Sequence, residues 1–125
     1  MLRYKTNTLE LGADGIIRFR PEADDVYSDT DLIMILDLAE QLSEGEPFLL
    51  LMLINEYEFL MTKEARKLFN TYEKAQRLIK AEAVVVNSVS TRILFNLLNM
   101  VHRPKFPFRA FTTEKEASTW LTSIA

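Results

Sequence analysis

The stretch from Glu82 to Phe111 restricts the fold of this 125-residue chain more than any other. A β-branched run, Ala83-Val84-Val85-Val86, ends at Asn87-Ser88. A very apolar helix is predicted to follow, from about Ser90 to Val101. Pro104 and Pro107 bracket the entry into a second short strand, Phe108 to Phe111. A helix between two buried strands implies a crossover, so the two strands lie parallel in one sheet.

Upstream, Leu9 and Leu11 alternate with polar neighbours, as do Ile17 and Phe19, and Gly12-Ala13-Asp14-Gly15 separates the two runs. This is a β-hairpin pattern, because Asp-Gly supplies the positive-φ residue a tight reversal needs. Arg3-Tyr4-Lys5 is either a further strand or a frayed start. Pro21 ends the hairpin and an acidic loop, Glu22 to Asp25, follows. Ser28-Asp29-Thr30-Asp31 has the form of a capping box, and Leu32, Ile35, Leu36, Ala39 and Leu42 recur at helical spacing after it. Gly45 suits a left-handed stop and Pro47 prevents continuation. Phe48 to Ile54 is apolar without alternation, which reads as a strand buried on both faces. A second helix is predicted from a cap at Thr62, with Ala65, Leu68, Phe69, Tyr72, Ala75 and Ile79 on one face. Thr113 with Glu116 opens a last helix whose apolar face is Ala117, Trp120, Leu121 and Ile124. The order is β-β-α-β-α-β-α-β-α, a single α/β domain over residues 1–125. Its sheet is mixed but mostly parallel, with an N-terminal hairpin.

Composition closes off several functions. The chain has no cysteine and one histidine, His102, so thiol nucleophiles, disulfides and a Cys/His metal site are excluded. No cofactor is implied. The longest apolar runs are too short to span a bilayer. Absent cysteine and a polar, strand-like start without a leader pattern fit a cytoplasmic protein. Residues 1–60 carry 4 basic and 13 acidic side chains, and residues 61–125 carry 11 and 5. The two halves could attract each other within the fold or between subunits, or simply form solvated helix faces. No basic cluster is interleaved with aromatics, which argues against nucleic acid. A catalytic serine finds no base: in a helix, His102 lies about 18 Å along the axis from Ser90. A non-enzymatic role is therefore expected.

The element order resembles the SpoIIAA-like fold of STAS domains and their STAS/SEC14 relatives, especially small bacterial STAS/SEC14-domain proteins. The residues that carry the likeness are Ala83-Val84-Val85-Val86-Asn87-Ser88, Arg92, Arg103-Pro104, Phe111, and Glu116-Ala117 with Trp120-Leu121; Asp14-Gly15-Ile16 fits as well. The resemblance implies a regulatory interaction module or, from the SEC14 side, a carrier of a small apolar or lipid-like ligand. STAS anti-sigma-factor antagonists place a phosphorylatable Ser or Thr at the start of the helix after the central strand, and the matching position here is near Thr62. The segment before it, Asn55-Glu56-Tyr57-Glu58-Phe59-Leu60-Met61, departs from that family's Asp-Ser and glycine turn. The alternative role of Thr62 is a plain helix cap.

Two groups of residues are candidates for function. In parallel α/β sheets, ligands bind beyond the carboxyl ends of the strands. That edge would gather Asn55, Tyr57, Thr62, Asn87, Ser88, Ser90 and Arg92, a set suited to a small anion or a peptide carboxylate, unless the hydroxyls and amides only cap helices. The second group follows from the apolar helix. Arg92, Asn96, Asn99 and Arg103 form one polar stripe, and nearly everything between them is apolar, more than one buried face requires. Burial within the subunit is the default for that excess. The alternatives are a homodimer or another protein partner, contacting Phe59, Leu60, Met61, Phe95, Leu97 and Leu98, or an apolar ligand between the second and third helices.

Overall fold

The computed structural model describes residues 1–4, 7–21, 26–54, 60–61, 63–101 and 104–124, and the side chains at all of these except positions 26, 60, 61, 63, 66, 69, 70, 98, 99 and 101. The first three strands, β1 (Leu2–Tyr4), β2 (Asn7–Leu11) and β3 (Ile16–Arg20), pair antiparallel. In the β2–β3 turn Gly15 has a φ of 80°, and the Asp14 carboxylate accepts from the Ile16 N–H at 3.2 Å. A Cβ at that φ would be strained, which is why Asp-Gly was the readable signal.

After β4 (Val26–Tyr27) comes α1 (Asp29–Leu42). Its first turn is the expected capping box: Ser28 Oγ accepts from the Asp31 N–H, and Asp31 accepts from the Ser28 N–H. Its end is wound left-handed, with Gly45 at a φ of 80° and Glu44 at 55°. Next are β5 (Phe48–Leu53), β6 (Leu60–Met61), α2 (Lys63–Thr71), α3 (Glu73–Leu78), β7 (Ile79–Val85), α4 (Val89–Val101), β8 (Phe108–Phe111) and α5 (Glu114–Ile124). The large sheet runs β1-β2-β3-β5-β7-β8, and β3, β5, β7 and β8 run parallel to one another. It is the mostly parallel α/β sheet with an antiparallel N-terminal ribbon that the sequence predicts.

Two expectations are corrected. The second helix is broken: Tyr72 is extended, with φ −67° and ψ 115°, and separates α2 from α3. Just before the break, the Thr71 hydroxyl donates back to the Lys67 carbonyl at 2.8 Å, a bond that bends helices. Ile79, expected on that helix face, instead opens β7. Leu60–Met61, expected in a loop, forms a short parallel pair with Val26–Tyr27. The acidic loop Glu22 to Asp25 lies outside the described residues.

The sheet separates two cores. The larger gathers Leu9, Ile17, Phe19 and Val84 under Leu36 and Ala39 of α1 and Leu78 of α3. The smaller packs Ile16, Leu51 and Ala83 against Ala117 and Leu121 of α5. At about 25 cal/mol per Å² of apolar surface removed from water, these two layers dominate the stability. A buried polar relay ties the ribbon to α1: the Tyr4 hydroxyl donates to Asp31 at 2.6 Å, and the Tyr27 hydroxyl donates to Asn7 at 2.6 Å. On the other face, Arg18 bridges Asp14 and Glu114, and its hydrogen bonds hold the Asp14 carboxyl below the usual range.

Candidate interaction surface

β8 is the outermost strand beside β7, so one side of its backbone has no strand neighbour. In the β7–β8 ladder, Glu82 donates to the Pro107 carbonyl and Val86 to the Phe111 carbonyl. Parallel register alternates, so Ala110 turns its N–H and C=O away from β7. The Asn96 side chain of α4 meets both groups. Its Oδ1 accepts from the Ala110 N–H at 2.9 Å, and its Nδ2 donates to the Ala110 carbonyl at 3.4 Å. A primary amide carries one donor and one acceptor side by side, the same pair a strand residue offers.

This tether fixes which way α4 faces. Thr91, Arg92, Phe95 and Asn96 lie on the half-buried side, with Phe95 packed against the larger core. Val89 (55% exposed), Ile93 (50%), Leu94 (54%), Leu97 (55%) and Met100 (68%) point to solvent. A surface helix ordinarily turns its polar residues outward. Here Asn96 is directed at the sheet edge, Arg92 is half-buried, and Val89, Ile93, Leu94, Leu97 and Met100 form the outer face. The default expectation, that the excess apolar surface is covered within the subunit, is corrected. Asn96 reaches exposed backbone only if the helix sits beside the sheet edge, and that position leaves its outer face uncovered.

Of the residues expected at the carboxyl edge of the sheet, Asn87, Ser88, Ser90 and Arg92 are described. Ser88 Oγ accepts from the Thr91 N–H at 3.1 Å and donates to the Thr91 hydroxyl at 2.8 Å, so it caps α4. Asn87 and Ser90 are exposed and Arg92 is half-buried. Thr113 is likewise engaged at the start of α5, donating to Glu116 and accepting from its N–H. Asn55, Tyr57, Phe59 and Thr62 lie outside the described residues, as do the side chains of Leu60, Met61 and Leu98. Of the expected interface residues with described side chains, Leu97 is on the outer face and Phe95 faces inward. Among the described residues no three His, Cys, Asp or Glu side chains converge to hold a metal. No helix among them is long and apolar enough to cross a membrane.

Sequence reasoning left Val89, Ile93, Leu94 and Met100 off the interface set. The stripe of Arg92, Asn96, Asn99 and Arg103 was the signal available, since it divides the helix into two faces. It does not say which of them is outside.

A family profile for a domain of unknown function, DUF7793, matches residues 9–125. No curated protein matches the chain. Among solved structures, the chain is similar to an uncharacterised protein of the DUF3478 family with a SpoIIAA-like fold from Shewanella loihica PV-4. That similarity has 19% identity, covers 92% of this chain and 91% of that one, and has a TM-score of 0.59. A protein of unknown function from Arthrobacter sp. FB24 matches at 21% identity over 91% of this chain and 97% of that one, with a TM-score of 0.31. The first similarity identifies the fold as SpoIIAA-like.

Proposed function

We propose for this chain, which belongs to the DUF7793 family, a non-enzymatic role as an interaction module that works through protein–protein contacts as a homodimer. One observation carries the reading: α4 presents Val89, Ile93, Leu94, Leu97 and Met100 to solvent while Asn96 is turned to the sheet edge. The exposed parts of Val89, Ile93, Leu94, Leu97 and Met100 amount to roughly 500 Å² of surface, the size of the largest patches on monomers, which are often functional. A specific interface buries about 800 Å² per partner, so this face would form its apolar centre and leave a polar rim.

A second copy suits the face as partner. Val89, Ser90, Ile93, Leu94, Leu97 and Met100 include no charged residue, so two such faces can meet about a two-fold axis without like-charge repulsion. Spacings of four, four and three residues through Val89, Ile93, Leu97 and Met100 give the ridge that packs into a facing helix. A non-catalytic role fits the side chains: Ser88, a serine at the carboxyl edge, is engaged as a helix cap at the start of α4, and the one histidine in the sequence, His102, comes after the last residue of that helix.

Native mass spectrometry and light scattering over a concentration series test the reading. The wild-type chain should be a dimer, and Leu97→Glu should be a folded monomer with an unchanged circular dichroism spectrum. A wild-type chain that stays monomeric to high micromolar concentration would sink the proposal. So would a Leu97→Glu variant that remains a dimer.

A further inference from the structure

Glu82 stands in the middle of β7 with 1% of its surface exposed. Its Oε1 has no hydrogen-bond partner among the described residues. In register it lies between Leu50 of β5 and Phe108 of β8, both packed against the larger core. Val84 and Val86, two and four residues along, belong to the same core, so strand alternation places Glu82 on that face. Among the described residues, several charged and titratable groups of the elements over this face are engaged elsewhere. Tyr27 donates to Asn7, and Asp31 accepts from Tyr4 and Ser28. Lys74 of α3 pairs with Asp37 and Glu40 of α1, and Arg77 approaches Glu40. Tyr72 and, on α4, Arg92 are half-buried, while Lys80 on its own strand is exposed.

An ionised carboxylate without partners must reach water. On one side, β5 is hydrogen-bonded to strands on both flanks. On the other, β8 has four residues and a single strand neighbour, and the Pro107 carbonyl at its start accepts from the Glu82 N–H itself. The least costly path to solvent therefore runs under β8. We infer that Glu82 is a proton-operated latch on this edge: protonated, it lets β8 stay docked with α4 tethered to it, and on losing its proton it drives a local opening of Phe108–Phe111. This goes beyond the proposed dimerisation and does not depend on what meets α4.

Burial pushes the carboxyl from 4.5 up to about 8. Opening exposes the acid to water and so releases a proton at pH values between these two. The opening constant of β8 should then rise about tenfold per pH unit in that window and level off above it. Amide hydrogen exchange on the full chain from pH 5.5 to 8.5, divided by the intrinsic exchange rate, measures this directly. The expected result is a protection loss of about fiftyfold between pH 6 and pH 8 at the β8 amides, which are less protected throughout than the amides of β3 and β5. In Glu82→Gln, which keeps the shape but cannot ionise, the profile should be flat. Parallel profiles in the two proteins would overturn the latch. Should the variant not fold, the wild type decides alone: a flat β8 profile, or β8 amides as strongly protected as those of Ile17 and Leu51, would overturn it.

Discussion

Removing the Asn96 amide should be costly although the residue sits on a surface helix. In Asn96→Ala two hydrogen bonds disappear, one of ordinary length at 2.9 Å and one at 3.4 Å. The first is worth about 1 kcal/mol net and the longer one less. Ala110 is 1% exposed, so its freed N–H and C=O also carry a desolvation cost of about 1–3 kcal/mol until water reaches them. The total is about 2–3 kcal/mol. For a domain of this size each kcal/mol shifts Tm by roughly 3–5 °C, which gives a fall of about 10 °C. Urea denaturation supplies ΔG and m, and exchange at the Ala110 amide reports the bond itself. Asn96→Asp separates the two halves of the interaction, because a carboxylate still accepts from the Ala110 N–H but cannot donate to its carbonyl. It should fall between wild type and alanine. A loss below about 0.5 kcal/mol in Asn96→Ala, with the Ala110 amide still protected, would refute the tether as the cause of the orientation of α4.

Two further outcomes follow from local geometry. Glu82→Gln should be more stable than wild type at pH 8, and the difference should shrink as pH falls toward 4.5. The reason is that the native state holds a proton there that the unfolded chain gives up, at about 1.4 kcal/mol per pH unit and with a ceiling of roughly 5 kcal/mol. Stability curves for both proteins from pH 5 to 9 check this, and a gap that widens on acidification would contradict it. Glu44→Gly should stabilise the fold by roughly 0.5–1 kcal/mol in thermal melts, since a φ of 55° costs an L side chain more than it costs glycine.

Local chemistry made most of the fold readable. The turn at Asp14-Gly15, the capping box at Ser28 and Asp31, the apolar run of β5 and the crossover from β7 through α4 to β8 each carry their own signal within a few residues. Features fixed by distant parts of the chain were not readable. Ala65, Leu68, Tyr72 and Ala75 keep one helical face across the break at Tyr72, so periodicity alone continues the helix to Ile79, which β5 instead recruits as a strand partner for Phe48. Two-residue strands such as β4 and β6 are too short to show a period. For the candidate surface, spacing separates the polar and apolar sides of α4, but their sense depends on where the open backbone of β8 lies. Glu82 is visible in the sequence as an acid beside a β-branched run. That it has no partner depends on side chains from several separate elements.

The amide of Asn96 is in effect a chain terminator for the sheet. It supplies the bonds an added strand would make at Ala110, but it carries no further backbone to propagate from. An unprotected outer strand invites strand addition, and strand addition can repeat without limit into fibrils. In the proposed dimer, self-recognition passes instead to a helix face, where two copies in two-fold apposition would use each other up. The same side chain thus both turns an apolar helix face outward and withholds the Ala110 backbone from open-ended strand addition.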